Sequence, residues 1–101
     1  MKAVIKRPGT SPQLIEVQND LAHLQYMVGG YIECINVEHR DVVICNEEGR
    51  LWGLTGNCII DQIPFVGTIL IVGADGEDFT DVHDPDYWLE YLDQKEHQLY
   101  D

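Results

Sequence analysis

The sequence predicts a single α+β domain: a mostly antiparallel sheet of about five to six strands with two helices packed on it. Three observations carry that prediction. Short β-branched, partly alternating runs recur along the chain. Two segments repeat apolar residues at helical spacing behind recognisable caps. One run, "GTILIVG", is apolar on both faces, as a central strand is. The 101 residues leave room for one core, and a 45% hydrophobic content suffices to fill it. No internal repeat or linker divides residues 1–101, and an acidic C-terminal helix and tail begin at about residue 80.

"KAVIK" (Lys2 to Lys6) alternates apolar and polar residues and reads as a strand. Pro8-Gly9 marks a loop, and "QLIEV" (Gln13 to Val17) a second short strand. Asn19 is placed to cap a helix of about ten residues, with Asp20 favourable at its positive end. Leu21, Leu24, Met27 and Val28 supply its apolar stripe, and Gly29-Gly30 the left-handed stop. "YIECINV" and "VVICN" form a hairpin turned by "EHRD". "EEG" is a second turn, and "RLWGL" (Arg50 to Leu54) is expected as the third member of an antiparallel meander. "TGNCIIDQIPFV" reads either as a helical turn or as an irregular crossing, with Cys58, Ile59 and Ile60 facing inwards. After the central strand Asp75-Gly76 turns the chain. Asp84 then caps a second helix with Pro85 at its first position, Asp86 in its first turn, and Trp88, Leu89, Tyr91 and Leu92 as its apolar stripe.

The net charge of −12 excludes some functions. Residues 74–101 hold ten acids against one base, Lys95, so most of the charge lies there. Such a surface repels phosphates, and direct nucleic-acid binding is not expected. It either keeps the protein soluble or imitates nucleic acid and occupies a basic groove on a partner. No apolar run reaches the roughly 20 residues that span a bilayer, and "MKAVIKRPG" has no hydrophobic stretch of signal-peptide length. The expectation is a soluble intracellular protein without membrane attachment. Cys34, Cys45 and Cys58 lack CxxC spacing and read as buried free thiols; neither a disulfide nor a zinc site is expected. "DGEDFTDVHDPD" has its glycine at the second position and Pro85 near its end, which breaks the EF-hand calcium pattern. No metal and no cofactor are expected. Without a G-x-S-x-G elbow, an H-E-x-x-H pair or a P-loop, no enzymatic activity is expected either.

The stretch "NEEGRLWGLTGN" (Asn46 to Asn57) is the candidate site. Glu47, Glu48 and Gly49 are turn residues. Trp52 lies between Leu51 and Gly53, so an aromatic face stands beside glycine amides, and Asn57 offers donor and acceptor. That combination suits a flat polar ring such as a nucleobase. The candidate ligand-binding residues are Tyr31 and Trp52 for stacking, Asn57 for hydrogen bonding, Gly53 and Gly56 as backbone donors, and Arg50 as phosphate partner. Alanine at Trp52 and Asn57 is expected to abolish binding at nearly unchanged melting temperature. The competing reading places the site on an acidic interaction surface of Asp75, Glu77, Asp78, Asp81, Asp84 and Asp86.

"MKAVIKRPG", "LQYMVGGYIE", "ICNEEGRLWGLTGN" and "VGTILIVGADGEDF" together resemble the small phage and bacterial family called domain of unknown function 3846, over Met1 to about Phe79. The Gly-Gly-Tyr-Ile-Glu run falls on Gly29 to Glu33, the Glu-Gly-x-Leu-x-Gly-Leu segment closing on Asn on Glu48 to Asn57, and the Val-Gly-Thr strand on Val66 to Thr68. Thr55-Gly56 stands where relatives more often carry proline. The resemblance implies an accessory protein of bacteriophages and mobile elements, acting in the cytoplasm of the host bacterium. Many small phage proteins of this size counter host defences, by sequestering a nucleotide signal or by blocking an effector, and the resemblance implies that context here. Two functions follow as expectations: a non-catalytic homo-oligomer that sequesters a small nucleotide-derived molecule, or an acidic, DNA-mimic-like inhibitor of a host defence protein.

Overall fold

The computed structural model describes residues 1–99, so Asp101 at the end of the acidic tail lies outside the described residues. The chain runs through β1 (Lys2–Lys6), β2 (Gln13–Glu16), α1 (Leu21–Val28), β3 (Ile32–Asn36) and β4 (Asp41–Asn46). It continues through β5 (Gly56–Ile60), β6 (Ile63–Val66), β7 (Ile69–Asp75), β8 (Asp78–Thr80) and α2 (Pro85–Asp93). Six strands form one antiparallel sheet in the order β2-β1-β7-β4-β3, with β8 also paired to β7; β5 and β6 form a separate hairpin. The α+β class is as the sequence predicts.

The two-sided apolar character of "ILIV" has a direct cause. β7 lies between β1 and β4, with Ile71 opposite both Val4 and Val43. Alternate side chains of one strand enter different layers. Leu70 and Val72 pack with Leu24 and Val28 of α1, together with Ala3, Ile5, Val42 and Ile44. Ile69 and Ile71 pack with Trp88 and Leu92 of α2, and with Cys58, Ile60 and Phe65 of the β5–β6 hairpin. The sheet is thus covered on one face by α1 and on the other by α2 and the small hairpin.

The helix ends follow local chemistry, with one correction. Asp20, and not Asn19, caps α1: its carboxylate accepts from the His23 amide at 2.8 Å. Asn19 instead donates its side-chain amide to Phe79 O at 3.0 Å, tying the helix entry to β8. Gly29 closes α1 in the left-handed region, at φ 82°. Asp84 caps α2 by accepting from the Tyr87 amide at 3.2 Å, with Pro85 in the first turn.

The expected strand Arg50 to Leu54 does not form. Trp52 N donates to Glu48 O, Gly53 N to Arg50 O and Leu54 N to Gly49 O, at 3.0, 3.2 and 3.0 Å. The last two bonds, closed by Gly53 at φ 68°, make the Schellman arrangement that ends a helical turn. Amides used in this way cannot join a ladder, so the meander stops at β4. The ambiguous segment after it is neither a helical turn nor an irregular crossing. It is the β5–β6 hairpin, turned by Asp61 and Gln62, both at positive φ as tight hairpins require.

Candidate functional site

Asn46, the last residue of β4, builds the site. Its side-chain Nδ2 donates to Val28 O at the end of α1 (3.3 Å), and its Oδ1 accepts from the Glu48 amide (2.8 Å). A backbone bond from Glu47 N to Tyr31 O at 2.8 Å reinforces the link. The loop after β4 is therefore held against the α1–β3 junction. Gly30 makes the approach possible, since a Cβ there would lie 2.9 Å from Asn46 Nδ2. On the inner side Leu54 sits over Gly67, where a Cβ would approach Leu54 Cδ1 to 2.7 Å. The loop is pinned from beneath and presents its tip outwards.

Between the loop and the junction runs an open groove of about 630 Å³. Tyr31 and Trp52 line it and are 65% and 71% exposed, large values for aromatic side chains. Gly29, Gly30, Gln25, Asn46 and Leu54 supply the rest of its wall, and Glu48 is the one charged side chain among the described residues that line it. A second groove of about 390 Å³ adjoins it across Asn46 and holds Arg50, Glu33, Glu47 and Leu51. The Arg50 guanidinium donates to Pro64 O at 2.7 Å.

Tyr31 and Trp52 thus share one groove, and Arg50 lines the neighbouring one. Gly53 lies exposed at the loop tip, and Gly56 lies against Leu99, whose carbonyl oxygen would be 3.1 Å from a Cβ on that glycine. Asn57 is the clearest departure from expectation. It is 0% exposed; its Nδ2 donates to Lys6 O (2.8 Å) and Gly67 O (2.7 Å), and its Oδ1 accepts from Lys6 Nζ (3.2 Å). Its amide secures the core edge where β1 meets the start of β7, and so is not presented to a surface ligand.

On the acidic surface, Asp75, Glu77 and Asp78 project from the β7–β8 hairpin and Asp86 from α2, all exposed. Asp81 accepts from the Lys2 amide at 2.7 Å, and Asp84 lies 3.5 Å from His39 Nδ1 besides capping α2. Ion pairs between described residues involve the N-terminal ammonium and two histidines.

A buried polar cluster has no counterpart in the sequence pattern. Asp41 accepts from the His83 amide and lies within hydrogen-bond distance of His83 Nδ1, both at 2.9 Å through Oδ1, while its Oδ2 accepts from the Trp88 indole at 2.8 Å. An acid at the first position of a strand gives no periodic signal that it turns inward. The cysteines need a correction too: Cys45 and Cys58 are buried, but Cys34 is exposed on the edge strand β3; all three are free. Burial pushes the Cys58 thiol up to about 12. Burial and the neighbouring Glu33 carboxylate push Cys45 up to about 11, so neither is a nucleophile at neutral pH. Among the described residues no group of three or more His, Cys, Asp or Glu side chains converges to hold a metal ion, and no helix is long and apolar enough to cross a membrane.

Fold and site together define a small α+β domain with an aromatic surface groove at a helix–strand junction. Residues 1–94 match the family model described as Domain of unknown function (DUF3846), and the chain belongs to that family. No curated protein and no solved structure matches it.

Proposed function

We propose that the protein is a non-catalytic binding protein that captures a planar group between Tyr31 and Trp52. The observation that carries this reading is the exposure of two large aromatic side chains across one preformed groove, where a folded protein ordinarily buries them. The ring of a nucleotide-derived signalling molecule is one planar group such a groove takes. Sequestering it would serve a counter-defence role in a host bacterium. Hydrogen bonding there falls to Gln25 and Asn46, in place of the expected Asn57. Fluorescence titration with mononucleotides and with planar cations tests the site. A fluorescence response that Tyr31→Ala removes, and a calorimetric binding signal that Trp52→Ala removes, without a change in melting temperature, support the reading. Binding that survives both substitutions rejects it.

A second reading has its own support. Asp75, Glu77, Asp78 and Asp86 stand exposed around the β7–β8 hairpin and the start of α2, as an inhibitor docking on a basic surface would need. Its partner would be a host defence protein, and association would weaken steeply with salt. Replacing these four acids by amides leaves such an association unchanged if the reading is wrong.

A further inference from the structure

We propose that the planar group held between Tyr31 and Trp52 is the guanidinium of an arginine on a basic partner protein. The inference rests on the groove being the binding site, and it names the occupant from the charges around it. Glu48 is the groove's one charged side chain, and no Lys, Arg or His among the described residues lines it. The groove also lies at the C-terminal end of α1, where Gly29 and Gly30 follow the helix, so the helix dipole presents its negative end there. Aromatic faces carry negative potential and attract a cation stacked on them. All three contributions disfavour a phosphate and favour a cation. A guanidinium is both planar and cationic, stacks on aromatic rings, and pairs with a carboxylate at the same time.

The surroundings point to a macromolecular bearer. Leu51 follows the same loop and is 85% exposed; Tyr26, next to Gln25 on α1, is 81% exposed. Exposed apolar side chains flanking a groove mark a surface that another protein covers. The chain's charge of −12 adds long-range attraction for a basic partner and repels an acidic one.

The test uses four probes on the full chain: a capped peptide with arginine between two leucines, the same peptide with neutral citrulline in its place, acetyl-arginine amide, and adenosine monophosphate. The readout is Trp52 fluorescence, identified by its absence in Trp52→Leu. The arginine peptide is expected to bind, more weakly as salt rises, and about 3-fold to 10-fold more tightly than the citrulline peptide. Glu48→Gln is expected to weaken the arginine peptide more than the citrulline peptide and so to reduce that preference. Equal binding of the two peptides, or no response to the arginine peptide at millimolar concentration, overturns the proposal. Acetyl-arginine amide binding as tightly as the leucine-flanked peptide would also overturn it, because the bearer would then be a small molecule. Trp52-dependent binding of the nucleotide alone overturns the cation but keeps the groove as a site. Binding of any probe that survives in Trp52→Leu, seen by calorimetry, rejects the groove itself.

Discussion

The Trp88 indole donates to Asp41 Oδ2 at 2.8 Å, with neither residue more than 1% exposed. This bond joins α2 to the first residue of β4, and Asp41 Oδ1 also receives the His83 amide from the connection between β8 and α2. Replacing the carboxylate by a methyl group leaves these donors buried or half-buried without their acceptor. Asp41→Ala should therefore cost about 2–4 kcal/mol and lower the melting temperature by roughly 10–20 °C. Asp41→Asn, which keeps one carbonyl oxygen, should cost less. Calorimetry on both variants decides; equal, small effects would mean the network contributes little.

Asn57→Ala should destabilise the fold by about 2–4 kcal/mol, because Lys6 O and Gly67 O lose a buried donor and Lys6 Nζ loses the Asn57 acceptor. Trp52→Ala, at an exposed loop tip, should change stability by no more than about 0.5 kcal/mol. Urea titration separates the two. Comparable losses would contradict the placement of both residues.

Adjacent glycines at the end of α1 should respond differently to alanine. At Gly29 nothing lies within 4 Å of where a Cβ would stand but φ is +82°, so Gly29→Ala costs about 1 kcal/mol of backbone strain and leaves the groove intact. At Gly30 the backbone is unstrained, but the Cβ meets Asn46 Nδ2 at 2.9 Å. Gly30→Ala should break the Asn46 bonds to Val28 O and Glu48 N, cost about 1–2 kcal/mol, and weaken the binding proposed for the groove. Nuclear magnetic resonance shifts of the Asn46 side-chain amide report the difference: displaced for Gly30→Ala, retained for Gly29→Ala.

Stability should fall in alkali. In the folded chain burial raises the Cys58 thiol to about 12 from an ordinary value of 9.0. Above the ordinary value the unfolded chain loses this proton while the folded chain keeps it, so the unfolded state binds fewer protons and stability decreases with pH. The contribution is complete below about pH 9, and it is lost progressively as pH rises towards 12. Denaturant midpoints of the wild type and Cys58→Ala, compared between neutral pH and pH of about 10.5, should converge as pH rises. A difference independent of pH would contradict the buried thiol.

The elements that could be read from the chain are those fixed by neighbours in sequence. Asp84-Pro85 starts a helix because a carboxylate accepting an amide three residues on, and a ring with a helical φ, act locally. Gly29 stops one for the same kind of reason. "ILIV" announces a central strand because both of its faces are apolar, whatever covers them. "RLWGL" misled because its alternation matches a strand, whereas Gly49 and Gly53, four apart, close a helical turn that takes up the amides.

The site divides in the same way. Trp52 beside glycines was legible as a stacking residue to be paired with Tyr31, although its run was read as a strand and not as a loop tip. Their sharing of a groove depends on Asn46 reaching Val28 O, a contact eighteen residues back along the chain. Asn57 and Asp41 were assigned by tertiary structure alone: each sits within the first two residues of a strand, and a polar side chain there turns to solvent or to the core according to what elements distant in sequence bring to it. For Asn57 that is β1 and Gly67 in the turn between β6 and β7, and for Asp41 it is α2 and the chain leading into it. The sequence by itself determined β1 to β4 and β7, the stop of α1 and the cap of α2, the acidic balance and the family. Only the packing of α1 and the β4–β5 loop onto one sheet decided which aromatic and polar side chains line the surface groove, because burial is a property of the assembled layers rather than of any local run.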